Sequence, residues 1–206
     1  MSELLGKVTE IYNFVHDNPA LFSIIVAVIF PFLVIALGFF IRLFGEALMT
    51  IVGMALAPVV AQAIVNYVFF PGVIIHEMAH AFVAIITGAE ITEVALFKKE
   101  GDSLGHVNFK PRGNKVLVAI QSIFISSAPM YIGAAVIWGC FNWLTILPTG
   151  GVVFIIIRIL IWYLMISMFY HMTMSNADIK VYVKGIPIFI IIMFVIVLAY
   201  RMAGII

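Results

Sequence analysis

The chain has 206 residues, of which 65% are hydrophobic and only 10% charged, with a mean hydropathy of +1.22. That mixture excludes a soluble globular domain, which could not hide so much apolar surface. The net charge of +1 gives no general attraction to nucleic acid, and a single cysteine, Cys140, excludes both an internal disulfide and a thiolate-rich metal site.

The segment before Ala20 is polar and mildly amphipathic. It lacks the basic start and small-residue cleavage site of a removable signal, so the first apolar stretch is expected to stay in the mature protein. Apolar runs close to the ~20 residues needed to cross a bilayer then predict about six spans, near 20–44, 47–69, 71–88, 115–140, 151–171 and 186–204. Pro71 suits the first turn of the third span. Pro129, after Ser126-Ser127, predicts a kink in the fourth, with the freed carbonyl satisfied by hydroxyls or by a neighbouring helix. One connection is long, from Ala89 to Asn114. Its runs Val94–Phe97 and Gly105–Phe109 flank the polar stretch Lys98–Leu104 and read as a hairpin. The expected fold is an all-α polytopic membrane protein with a short β-hairpin. It forms a single membrane domain in which residues 1–69 are accessory N-terminal spans, 70–190 a core and 186–206 the last span.

Charge near the span ends predicts orientation. Lys98, Lys99, Lys110, Arg112 and Lys115 mark one connection and Lys180 and Lys184 another, whereas 142–150 carries neither lysine nor arginine. The first two are expected on the cytoplasmic side and the third outside. Six spans then put the N-terminus outside and run the third span inward, with His80 about 12 Å of helix rise from Gly88.

That third span contains His76-Glu77-Met78-Ala79-His80. Histidines four apart share a helix face and can hold one zinc, while Glu77 beside them can take a proton from water acidified by the metal and pass it to a leaving amine. The competing structural reading makes both histidines interhelical hydrogen-bonders and Glu77 a buried partner. It leaves three ionisable groups in a span, at a cost of several kcal/mol, with no return in function. A catalytic zinc takes a third protein ligand. Among Asp178, His171, His106, Glu90 and Glu93, Asp178 is the expected one, as a rare carboxylate near a span end in the second half of the chain. Ser175-Asn176-Ala177-Asp178 also fits a capping box, a role that competes for the same carboxylate oxygens. His171 could instead be a hydrogen-bond partner or an interfacial residue. His106 reads as an exposed residue of the hairpin, and Glu90 and Glu93 as facing water. Gln121, Ser122, Ser126 and Asn142 read as interhelical hydrogen-bonders, and Arg158 as a snorkelling side chain.

Phe70-Pro71-Gly72-Val73-Ile74-Ile75-His76-Glu77-Met78-Ala79-His80-Ala81, then Thr87-Gly88-Ala89, together with Ser127-Ala128-Pro129 and the later Asp178, resemble the site-2 protease family of intramembrane zinc metalloproteases. The resemblance covers roughly residues 70–190. The family's aspartate commonly sits in Asn-Pro-x-x-Asp-Gly. Ser175-Asn176-Ala177-Asp178-Ile179 lacks that proline and glycine, which points to a divergent, minimal-core member. The resemblance implies a zinc metalloendopeptidase that cuts a membrane-protein substrate in or beside a transmembrane segment, with Zn2+ as cofactor and the bilayer as its surroundings. The strand edge formed by Gly105, His106, Val107, Asn108 and Phe109 is the candidate for holding the unwound substrate. Two alternatives stand beside this reading. A zinc-binding adaptor or chaperone on the same scaffold would not need Glu77, and a metal transporter would spread its ionisable groups across the membrane rather than at one depth.

Overall fold

The computed structural model describes residues 1–96 and 105–205. The chain forms α1 (Ser2–His16), α2 (Pro19–Leu56), α3 (Pro58–Ala63) with a π-helical turn at Ile64–Val68, and α4 (Phe70–Thr87). The strands β1 (Glu90–Ala95) and β2 (His106–Lys110) follow, then α5 (Lys115–Ile146), α6 (Val152–His171) and α7 (Asn176–Met202). Among the described residues, α2, α4, α5, α6 and α7 are long and apolar enough to cross a membrane. The protein is an all-α polytopic membrane protein with one small antiparallel sheet.

Five such helices replace the six expected. The division placed between residues 44 and 47 does not occur, because Arg42 and Glu46 pair across one helical turn at 2.9 Å and let the helix run on through its two charges. The break falls instead at Ala57, ahead of Pro58 in the first turn of α3. Similarly, α7 begins at Asn176 rather than near 186, so Lys180 and Lys184 are helical.

Pro71 occupies the first turn of α4 as expected, but no side chain of the local segment caps this helix. Ser167 of α6 does so from outside: its hydroxyl accepts from Gly72 N–H at 2.7 Å and donates to the Phe69 carbonyl at 2.7 Å. The approach is close enough that a Cβ on Gly72 would lie 2.2 Å from the Ser167 carbonyl oxygen. At the other end Gly88 adopts the left-handed conformation (φ +77°) that closes helices readily.

The hairpin pairs Glu90 with Lys110 through to Ala95 with His106, with an irregularity between Ile91 and Glu93. β1 therefore starts four residues earlier than expected. Phe97 and the turn at 98–104 lie outside the described residues. Gln121, fully buried on α5, donates to the Thr87 carbonyl and accepts from Arg112 N–H, both at 2.8 Å, and so fastens the end of α4 and the exit of the hairpin to one helix.

The long helices define how the core is built. Along α2, Phe22, Pro31 and Arg42 meet Arg201, Tyr182 and Asn176 of α7 in turn, and Phe44 and Gly45 meet Phe169 and Tyr170 of α6. Along α5, Ala119 and Ile123 contact Gly185, and Gly133 contacts Met168 and Met172. Helices α6 and α7 thus follow one another in the same sense past the same two partners. The four residues joining them are not a surface loop: Met172 and Met174 are buried, Met174 in a cluster with Met130, Ile123, Tyr182, Ile186 and Phe189. The charges at 178–184 gave this stretch the look of a polar connection.

Candidate metal centre

The interruption between α6 and α7 lies against the middle of α4, where the HExxH residues project. His76 and His80 share a face, and the first turn of α7 brings Asp178 to them. The ligand atoms of these three residues all lie within 4.8 Å of one another, the one such group among the described residues. The two Nε2 atoms are 3.2 Å apart, His80 Nε2 is 3.3 Å from Asp178 Oδ1, and His76 Nε2 is 3.8 Å from Asp178 Oδ2. Tetrahedral bonds of ~2.0–2.1 Å to zinc would set neighbouring donors ~3.3 Å apart, the spacing of the two Nε2 atoms and of His80 Nε2 from Oδ1, while the 3.8 Å from His76 Nε2 to Oδ2 is longer.

The other ring nitrogens decide what these atoms offer. His76 Nδ1 lies 2.5 Å from the His171 carbonyl oxygen, and His80 Nδ1 lies 2.7 Å from that of Ile125. A carbonyl can only accept, so both Nδ1 atoms carry the proton and, in the neutral rings, both Nε2 atoms present bare lone pairs. Two lone pairs at 3.2 Å do not hydrogen-bond to each other, and an ionised Asp178 adds a third acceptor. A divalent cation satisfies all three at once. His171 contributes its backbone carbonyl to His76, an acceptor left free at the end of α6. Its own ring is turned to the Ser167 carbonyl at 2.8 Å and is not part of the metal group.

Asp178 fills the capping role weighed for it and lies where it could also hold a metal. Oδ2 accepts Ser175 N–H at 2.8 Å while the Ser175 hydroxyl accepts Asp178 N–H at 3.1 Å, completing the capping box. Oδ1 is the oxygen nearer His80. Oδ2, which carries the cap, also faces His76 Nε2 at 3.8 Å, so the cap and the histidine pair draw on the same carboxylate.

Glu77 is buried, one residue from His76 on α4 and outside the ligand group. The hairpin covers it: Val107 N–H donates to the carboxylate, and a Cβ on Gly105 would stand 3.1 Å from Glu77 Cγ. Val107, Asn108 and Phe109 continue from there along a groove of about 480 Å³ that also includes Ser122, Asp178 and Lys184. Of the strand-edge residues named from sequence, His106 differs from expectation. It is half-buried and sits 3.4 Å from Glu93 Oε1, on the face that meets β1. Glu90 pairs with Arg112 at 2.9 Å, and neither Glu90 nor Glu93 joins the metal group. Of the roles open to His171, hydrogen-bond partner is the one observed, through its backbone carbonyl, and the residues that reading the sequence missed are Ile125 and the external cap Ser167.

No family model, no curated protein and no solved structure matches this chain.

Proposed function

We propose that this protein is an intramembrane zinc metalloprotease, resembling the site-2 proteases, that hydrolyses a peptide bond in or next to a transmembrane segment of another membrane protein. One observation carries the reading: ligand atoms of His76, His80 and Asp178 converge within 4.8 Å of one another, with Glu77 next to His76 on the same helix. His76, His80 and Asp178 would hold the zinc, which would supply Lewis acidity for the attack of water on the peptide carbonyl. Glu77 would hold the proton lost by the attacking water on its carboxylate and pass it to the leaving amine. Its burial beneath the hairpin keeps bulk water from competing for the carboxylate, and Val107 N–H restrains its rotamer.

A helical substrate must unwind before its carbonyl is accessible, because an intact helix already occupies its backbone groups. The edge of β2 at Val107 and Phe109 is suited to hold the extended segment by strand addition, and the groove leads from that edge to Asp178. Lys115 and Lys184 border the groove, with Lys110 and Arg112 just ahead of α5, so we assign the hairpin end of the molecule to the cytoplasm.

The test is Glu77→Gln in purified, detergent-solubilised protein, scored for zinc content and for cleavage of a membrane-protein substrate. Zinc content is expected to stay at the wild-type level while cleavage falls by ~10²–10⁴-fold, the range for loss of a general base. A wild-type protein that binds no zinc, or a variant that cleaves as well as wild type, would refute the proposal.

A further inference from the structure

In an α-helix the carbonyl of residue i accepts from the N–H of residue i+4. For Ile125 of α5 that donor would be residue 129, which is proline and has none. The pyrrolidine ring also presses on that same carbonyl and tilts it out of the helix. Both Ile125 and Pro129 are fully buried, so water does not take the missing donor's place. The serines of this stretch do not take it either: Ser126 bonds to the Ser122 carbonyl at 2.6 Å and Ser127 to that of Ile123 at 2.7 Å. The carbonyl freed by Pro129 is met by a neighbouring helix, through His80 Nδ1 at 2.7 Å.

We infer that Pro129 is a positioning residue for the metal ligand His80: by freeing the Ile125 carbonyl it fixes the imidazole as the Nδ1–H tautomer and aims Nε2 at the ion. The inference rests on the zinc reading and adds to it a device on a different helix. His76 is held in the same tautomer by another means, the unpaired His171 carbonyl at the end of α6, and so provides an internal reference. Carbonyl partners of this kind set ring orientation and ligand basicity in metal sites, and losing one costs ~10–100-fold in metal affinity.

The experiment is Pro129→Ala in the full-length, detergent-solubilised protein. The substitution restores a backbone N–H that would return to the Ile125 carbonyl and compete with His80 for it. Chelator competition should then show a single zinc bound ~10–100-fold more weakly than in wild type. Nitrogen NMR of the metal-free protein, with labelled histidine at a pH where the rings are neutral, should show His76 and His80 as Nδ1–H in wild type. In the variant, His80 should shift towards the Nε2–H form and His76 stay as it was. Unchanged zinc affinity together with an unchanged His80 tautomer overturns the inference and leaves the zinc reading standing. Should the variant fail to fold, the wild-type spectrum decides: Nδ1–H at His80 supports the inference and Nε2–H overturns it. A wild-type protein that binds no zinc defeats the zinc reading itself, a result distinguishable from either.

Discussion

Two paths run side by side through this protein and are built differently. α2 passes unbroken for 38 residues, mostly apolar, with large side chains such as Phe39 and Phe40 exposed at 61% and 69%. Beside it the path of α6 and α7 is interrupted at Met172–Ser175, where Met172 and Met174 are buried and Ser175 is exposed. An unbroken helix satisfies its own backbone and has nothing left to offer a ligand, whereas a broken one exposes carbonyls at one end and an N-terminus at the other. Here the carbonyl end holds His76 through His171, and the N-terminal end delivers Asp178. α5 repeats the device on a smaller scale at Pro129. Polar chemistry in this membrane protein collects where helices are interrupted.

The strongest way to break that contrast is to separate the ligand from the cap. Asp178→Ala should lower zinc affinity by more than the ~10–100-fold that an outer partner costs, and it should also remove one half of the capping box. Ser175→Ala removes the other half and should cost about 1 kcal/mol of stability with zinc affinity intact. Zinc titration and thermal unfolding of both variants give the answer. Equal zinc affinity in the two would mean that Asp178 only caps α7.

Next in size is the fit of α4 against the end of α6. Gly72→Ala places a methyl 2.2 Å from the Ser167 carbonyl oxygen and 2.6 Å from His171 Nδ1, both close to the carbonyl that holds His76. Backbone must move to admit it, which should cost ~1–3 kcal/mol in unfolding experiments. Gly139→Ala, farther along α5 with open space around it, should by contrast be neutral or stabilise the helix by up to ~1 kcal/mol. A Gly72→Ala variant as stable as wild type would show that α4 and α6 are not packed as described. Smaller still is the link from α2 to the first turn of α7. Arg42 bonds to Glu46 and, at 3.1 Å, to Asn176, but both charged side chains are substantially exposed. Arg42→Ala should lower stability by only ~0.2–1 kcal/mol.

Much of the site is legible in the sequence because it is carried by side chains with few other uses in a membrane. Histidines four apart with a glutamate between them, and a lone aspartate near the start of a later helix, are conspicuous in a chain with 10% charged residues. Pro71 marks the start of α4 for the same reason, since its ring allows few other places. What was not legible depends on pairing. Arg42 and Glu46 look like the end of a span until their mutual contact is known, and Lys180 and Lys184 look like a loop until they are placed on α7, with Lys184 beside the groove. The carbonyls of Ile125 and His171 have no side-chain signature. Pro129 identifies which carbonyl is free, but only the fold brings His80 to it.

The smallest expected effect tests the other side of the contrast. If the outer face of α2 meets only lipid chains, then Phe40→Leu exchanges one apolar surface for another and alters no protein contact. Surface changes of this kind stay within ~0.5 kcal/mol, and for a chain of this size 1 kcal/mol moves Tm by roughly 2–4 °C. The melting temperature in detergent should therefore shift by less than about 2 °C. A larger loss would mean that Phe40 packs against protein, and because its own chain leaves it 69% exposed, that protein would have to be a second molecule. Concentration-dependent melting would then follow, since association stabilises by mass action.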